Sequence, residues 1–178
     1  MIIAIVGMPG AGKSIAADFF RGKGLPVLRF GDQTDIGLKE QGLPLTEANE
    51  RAYREDIRRE LGMAAMAIKI EPRIGEAAKT SDTIVLDGLY SWEEYVYLKE
   101  KFPLMLLLCI WAPPNLRYER LTKRPVRPLA LEEAKSRDRA EIENLNKGGP
   151  IAIADNLIKN ERSQEHFTAK LEKFYASL

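Results

Sequence analysis

Short apolar runs alternate with longer amphipathic stretches along the whole chain. Five runs have the length and composition of strands, at residues 2–6, 27–30, 83–86, 104–111 and 156–159. The first is continuously apolar, which is typical of a strand covered on both faces in a parallel sheet. The run at 104–111 is rich in leucine, but flanking prolines leave it too short for a helix, so we interpret it as a strand.

Helical patterns lie between these strands. We predict helices over 13–22, 46–79 with an interruption at Pro72, 92–101, 115–123 and 130–146. Near the C-terminus, Phe167, Leu171 and Phe174 recur at helical spacing, and Ser163 is a candidate N-cap. Strands that alternate with helices predict an α/β fold with a parallel sheet. The 178 residues suit a single domain.

Composition and charge exclude several classes. The chain has 27 basic and 26 acidic residues, a net charge of +1, which offers no overall attraction to nucleic acid or anionic membranes. A single cysteine, Cys109, excludes an internal disulfide, and with one histidine it leaves too few ligands for structural zinc. No apolar run approaches the ~20 residues of a membrane span, and Met1-Ile2-Ile3 lacks a basic signal-peptide start. We therefore expect a cytoplasmic protein without nucleic-acid or membrane partners.

The first strand is followed by a phosphate-binding motif. The sequence GMPGAGKS at residues 7–14 matches G-x-x-x-x-G-K-[ST], between a strand pattern and a helix pattern. Glycines let backbone N–H groups turn toward phosphate oxygens, and the helix start adds its positive dipole end. The alternative is a tight turn that binds nothing. The expected nucleotide-binding residues are Gly7, Pro9, Gly10, Ala11, Gly12, Lys13 and Ser14.

Asp87 closes the third strand, where phosphate-loop proteins place a carboxylate that serves Mg²⁺ together with the loop hydroxyl, here Ser14. A solvent-facing turn aspartate is the alternative. Gly88 follows, where many ATP-hydrolysing proteins carry a glutamate, which favours transfer to an acceptor over hydrolysis.

Residues 117–127 hold five basic side chains and one acidic one, and Arg137 and Arg139 follow. Phosphoryl transfer needs such positive charge around the phosphates, and the spacing of Arg120 and Arg124 would place them on one helical face. A solvated helix face is the alternative. Pro125 and Pro128 predict a loop there that could act as a lid.

The acceptor side is expected at the same sheet edge. Asp32 follows the second strand and could orient or deprotonate an acceptor hydroxyl, or could merely cap a helix; Asp35 is a second candidate. Tyr90 could line the acceptor site. Asn146-Lys147 is followed by two glycines rather than the x-Asp of guanine recognition, so a GTPase switch is not expected.

Together the loop, Asp87-Gly88, Arg120-x-x-x-Arg124 and Arg137-Asp138-Arg139 resemble the nucleoside monophosphate kinase branch of the phosphate-loop proteins. Residues 154–160, ADNLIKN, are similar to a stretch of dephospho-CoA kinases. The chain most resembles a mainly archaeal group described as dephospho-CoA-kinase-like or adenylate-kinase-related.

That resemblance implies a three-layer fold with a five-stranded parallel sheet in the order 2-3-1-4-5, helices on both faces, an acceptor-binding insertion near 32–75 and a lid near 117–150. It also implies that Arg120 lies on the adenine, that Arg124 and Arg137 lie on the phosphates, and that Asn160 borders the base. The group usually has arginine at the position of Tyr90 and a different lid sequence, which indicates altered acceptor recognition.

The expected function is transfer of the γ-phosphoryl of Mg·ATP to a small nucleotide-like acceptor, such as a nucleoside monophosphate or dephospho-CoA. Lys13, Asp32, Arg124 and Arg137 would be the catalytic residues, Asp32, Asp87 and Tyr90 would bind the acceptor, and Ser14 and Asp87 would hold the metal. The alternative is an ATP-binding sensor, or an ATPase coupled to a protein partner, that has lost small-acceptor activity.

Overall fold

A parallel sheet forms the centre of the molecule. The computed structural model describes residues 1–125 and 127–178. Its strands there are β1 (Ile2–Val6), β2 (Val27–Arg29), β3 (Ile84–Asp87), β4 (Leu106–Trp111) and β5 (Asn156–Lys159). They pair in parallel in the order β2-β3-β1-β4-β5, which confirms the predicted fold class and strand order.

Helices cover both faces of this sheet. Within the described residues they are α1 (Lys13–Gly22), α2 (Asp32–Glu40), α3 (Glu47–Leu61), α4 (Ala65–Ala77), α5 (Trp92–Lys101), α6 (Pro114–Lys123), α7 (Leu131–Glu143), α8 (Gly148–Ala152) and α9 (Gln164–Tyr175). No helix in the part of the chain that the structure describes is long and apolar enough to cross a bilayer.

The central strand β1 explains why the fold is layered. Its five side chains are all buried, at most 7% exposed. Ile3 and Ile5 pack with α1 and α9, whereas Ala4 and Val6 pack on the opposite face with side chains of α2 to α5. A continuously apolar strand needs cover on both sides, and the helices provide it.

The prediction for residues 46–79 was right about helix but wrong about the break. Pro72 lies inside α4, on its exposed side, where water can bind the carbonyl that proline leaves without a donor. The interruption instead falls at Gly62, whose φ of 76° ends α3 in a conformation that favours glycine. Helices α2 and α8 were not predicted.

Ser163 caps α9 as predicted, because its side chain accepts a hydrogen bond from the backbone N–H of His166 at 3.3 Å.

All five strands point the same way, so their carboxyl ends meet at one edge. Gly7, Phe30, Gly88 and Ala112 each begin the segment that leaves this edge. The candidate site lies there, as the rule for open α/β sheets requires.

Candidate phosphate-binding site

The loop at residues 7–14 connects β1 to α1 in a conformation that only glycine tolerates at three positions. Gly7, Gly10 and Gly12 have φ values of 142°, 77° and 104°. A side chain at Gly10 would bring Cβ within 2.6 Å of the Arg117 carbonyl oxygen, and one at Gly12 would collide with the Asn160 amide. The glycines thus allow both the backbone turn and the close approach of two other segments, and they leave α1 starting with its unpaired N–H groups directed at the loop.

Two side chains from distant segments support the loop from behind. Arg117 on α6 is 5% exposed and donates to the Pro9 carbonyl at 3.0 Å. Its guanidinium also forms two parallel hydrogen bonds with Asp138 of α7, at 2.9 and 2.6 Å. Asn160, after β5, donates to the Ala11 carbonyl at 2.8 Å. Arg117 is therefore a buried residue of α6 that supports this loop. The alternative from the sequence, a solvated helix face, does not hold for Arg117.

Lys13 begins α1 and folds back over its own loop. Its ammonium donates to the carbonyl oxygens of Gly7 at 2.8 Å and Met8 at 3.2 Å. Burial, and next the nearby ammonium of Lys147, lower the pKa of Lys13 from 10.5 to about 7. The carboxylates of Glu141 and Asp87 oppose that shift, and a bound phosphate would add further negative charge that stabilises the ammonium.

Asp87 and Ser14 are the predicted magnesium ligands. Burial raises the pKa of Asp87, although the charges of Lys13 and Arg29 oppose that shift. Ser14 is the second residue of α1 and is exposed. Among the described residues, no three carboxylate, histidine or cysteine groups converge on a metal site. Mg²⁺ does not require such a cluster, because it commonly takes one or two protein oxygens plus phosphates and water. This donor pair therefore fits it.

A cavity of about 770 Å³ lies at the same sheet edge, between α2 and α3 on one side and Arg124, Arg127 and residues 129–145 on the other. Loop residues 7–14 do not line it, but Arg137 and Glu141, which do, are close enough to Lys13 to affect its pKa. Its charged lining is mainly arginine: Arg29, Arg54, Arg58, Arg124, Arg127 and Arg137, against Asp35, Glu47, Glu50 and Glu141. Phe30, Met66, Leu129 and Leu145 supply apolar walls. The cavity is in the size range of small-ligand sites, and its charge suits an anion.

The three predicted arginines occupy different positions. Arg124 and Arg137 line the cavity, whereas Arg120 reaches the Gly10 carbonyl at 3.5 Å and the Asn160 side chain at 3.3 Å. Arg124 lies just past α6 in extended conformation, so it does not share a helical face with Arg120. That expectation was wrong because the helix ends at Lys123, before the proline.

The predicted acceptor residues are also separated. Tyr90 lines the cavity, and burial raises its pKa to about 12. Asp32, in the first turn of α2, pairs with Arg73 at 3.4 Å and Arg29 at 3.7 Å, and its role toward the acceptor hydroxyl stays a prediction. Asp35 is the carboxylate of α2 on the cavity wall. Asn160 is 4% exposed behind the loop. Its predicted contact with the base stays a prediction.

Arg29 is a site residue that the sequence analysis did not identify. It lies opposite Asp87 in the β2–β3 register, 3.9 Å from its carboxylate, and it lines the cavity. Its position at the carboxyl end of a strand could have drawn attention to it. Arg54 and Arg58 on α3 had no such signal, since α3 carries many charges and only packing shows which ones face inward.

Comparison with known proteins agrees with this geometry. Residues 3–158 match the family described as AAA domain. A UPF0200 protein of Pyrococcus abyssi is 36% identical over 176 residues, covering 97% of this chain and 94% of the relative. A UPF0200 protein of Pyrococcus horikoshii is 32% identical over 182 residues, covering 100% and 97%.

Solved structures share the fold at low sequence identity. TT1252 from Thermus thermophilus superposes with a TM-score of 0.67 at 22% identity, covering 100% of this chain and 97% of that one. A dephospho-CoA kinase from Campylobacter jejuni gives 0.63 at 18%, covering 99% and 96%. A shikimate kinase from Bacteroides thetaiotaomicron gives 0.60 at 12%, covering 99% and 97%.

These matches span almost the whole chain, and they agree with the strand order and the phosphate-binding loop described above. The chain has the kinase-like fold of phosphate-loop proteins and belongs both to the AAA-domain family and to the UPF0200 group.

Proposed function

We propose that this protein is an ATP-dependent phosphotransferase that moves the γ-phosphoryl group of Mg·ATP to a small nucleotide-like acceptor. The observation that carries the proposal is that the phosphate-binding loop shares its sheet edge with a cavity of about 770 Å³ whose charged lining is mainly arginine. Two residues of that lining, Arg137 and Glu141, are close enough to Lys13 to affect its pKa. A hydrolase needs only a water site next to its nucleotide. A cavity of this volume and charge suits a second, anionic substrate.

Each element of the site has a role in this reaction. The loop amides and Lys13 would bind the β- and γ-phosphates. Mg²⁺, when bound, neutralises phosphate charge, and Ser14 and Asp87 would hold it. Arg124 and Arg137 face the cavity from the side opposite α2 and α3, where they would stabilise the charge on the phosphoryl group during transfer.

The acceptor would enter between α2–α3, which belong to the predicted acceptor-binding insertion near 32–75, and the described part of the predicted lid. The lid prediction, near 117–150, includes Val126, which lies outside the described residues. Asp35 and Glu50 on the cavity wall can accept hydrogen bonds from acceptor hydroxyl or amino groups, and Tyr90 lies where the two substrates would meet. Asp32 would support this wall through its ion pairs with Arg29 and Arg73.

An acceptor screen tests the proposal. ADP release from Mg·ATP is measured with nucleoside monophosphates, deoxynucleoside monophosphates, nucleosides, dephospho-CoA and shikimate, for the wild type and Lys13→Ala. The expected result is one acceptor class that raises turnover well above the rate with ATP alone, and no such rise in the variant. Tight ATP binding without any acceptor-stimulated turnover would contradict the proposal and would favour a nucleotide sensor or a partner-coupled ATPase.

A further inference from the structure

A fully buried lysine lies next to the phosphate site. Lys147 is 1% exposed, and its ammonium is hydrogen bonded to the Glu141 carboxylate and stands 4.5 Å above the ring of Tyr90. Burying an ammonium group costs several kcal/mol unless a partner compensates it. A lysine in such a position requires a physical explanation.

The loop that carries Lys147 is built around it. Asn146 adopts a left-handed conformation with φ of 50°, and its amide donates to Glu93 at 2.8 Å. Gly149 lies against Trp92, where an added Cβ would stand 2.6 Å from the indole ring. An unusual backbone conformation and a close approach thus hold the backbone on both sides of Lys147.

Glu141 connects this lysine to the cavity. One of its carboxylate oxygens accepts from Lys147, and the other accepts from Arg137 Nε at 3.0 Å. Glu141, Arg137 and Tyr90 line the cavity, whereas Lys147 lies behind them. Burial alone would raise the pKa of Glu141, but Lys147 and Arg137 outweigh it and lower that pKa, so the carboxylate is charged.

The net charge of the cavity wall formed by Arg137 and Glu141 depends on the buried Lys147. Without Lys147, the ion pair of Glu141 and Arg137 would have no net charge, and the carboxylate would cancel the attraction of Arg137 for a phosphate. With Lys147 present, the group of three carries one net positive charge. Lys147 is also close enough to Lys13 to influence its protonation, which places this group near the ammonium that is expected to reach the β- and γ-phosphates.

We propose that Lys147 is a positioning residue of the phosphate site: by compensating the charge of Glu141 from behind, it leaves the positive charge of Arg137 available to attract the terminal phosphate of ATP, while Glu141 still holds the Arg137 side chain in place. This inference rests on the proposed nucleotide site but not on transfer to an acceptor. Lys147 contacts no substrate in this account. It acts through Glu141 and Arg137.

The test compares Mg·ATP with Mg·ADP binding by calorimetry, because only ATP carries the terminal phosphate. Lys147→Met should weaken ATP binding about tenfold and ADP binding less than about threefold. Lys147→Arg, which keeps the charge, and the double variant Lys147→Met/Glu141→Gln, which removes both charges, should lie within about threefold of the wild type. The matched control is Lys135→Met, on the exposed side of α7, where Lys135 pairs with Glu132.

The outcomes separate this role from others. Unchanged ATP binding by folded Lys147→Met would overturn the proposal. So would a double variant as weak as the single one, because Lys147 would then act on phosphate directly. If Lys147→Met does not fold, Lys147→Gln replaces it, since the amide can still donate to Glu141. If that variant changes the affinities for ATP and for ADP by the same factor relative to the wild type, the electrostatic role is refuted. If ATP binds as expected but no acceptor is phosphorylated, the proposed function fails while this inference stands.

Discussion

Replacing Arg117 by methionine would leave the buried Asp138 carboxylate without its main partner. In the wild type the guanidinium forms two hydrogen bonds with that carboxylate and one each with the carbonyls of Pro9 and Ala112, at 3.0 and 3.2 Å. Arg117 is 5% exposed and Asp138 is 7% exposed, so water cannot substitute for the lost donors. Removing one partner of a buried pair typically costs about 3–5 kcal/mol.

We therefore expect Arg117→Met to lower the free energy of unfolding by about 3–5 kcal/mol, measured by urea denaturation followed by circular dichroism. Arg120→Met is the matched control on the same helix, since Arg120 is half-buried with long contacts of 3.3 and 3.5 Å; it should cost about 1 kcal/mol or less. The double variant Arg117→Met/Asp138→Leu should recover part of the loss, because it removes the stranded charge.

Recovery should be incomplete, because the carbonyls of Pro9 and Ala112 and the hydroxyl of Tyr118 would still lack their partner. A loss below about 1 kcal/mol for Arg117→Met would refute the reasoning. It would mean that the pair is solvated in solution and that the phosphate-binding loop is not supported from α6.

Three further predictions concern the nucleotide site. Gly12→Ala should weaken Mg·ATP binding more than about tenfold, because its φ of 104° and the Asn160 amide exclude a Cβ. The control is Gly24→Ala, which also has a positive φ but open space around it; ATP binding measured by calorimetry should be unchanged in that variant. Arg124→Ala should lower kcat more than it weakens ATP binding, and an equal loss in both would make Arg124 a ground-state binding residue. ATP affinity should be constant below about pH 7 and should fall as the pH rises above it. The reason is that the pKa of Lys13 is about 7 in the free protein and a bound phosphate raises it, so that binding takes up a proton at higher pH. Lys13→Arg should abolish this pH dependence, and a dependence that persists in the variant would belong to another group.

Much of the fold could be predicted because the signals are local. The apolar run of β1, the glycine pattern after it and the proline boundaries of β4 each identify an element without reference to the rest of the chain. Helix α2 was missed because its nine residues, DQTDIGLKE, carry few apolar side chains, and the buried ones include Gln33 and Thr34. Such a helix is stabilised by its contacts, which no local pattern reveals.

The roles of the arginines could not be separated by sequence. Arg117, Arg120 and Arg124 lie within one basic segment, yet one is buried against α7, one lies over the phosphate-binding loop and one faces the cavity. Their environments depend on residues 20 or more positions away in the chain, such as Asp138 and Asn160. The same is true of the contact between Lys147 and the ring of Tyr90, which becomes apparent only when the segment after α7 and the segment after β3 are brought together.

The most direct test of the central claim follows the phosphoryl group itself. The protein is incubated with Mg²⁺ and ATP labelled at the γ-phosphate, in the presence of the acceptor class that stimulates ADP release, and the label is separated into acceptor and inorganic phosphate. We expect most of the label on the acceptor in the wild type and none in Lys13→Ala. Label that appears only as inorganic phosphate, although the acceptor speeds ADP release, would contradict the assignment of a small-molecule kinase.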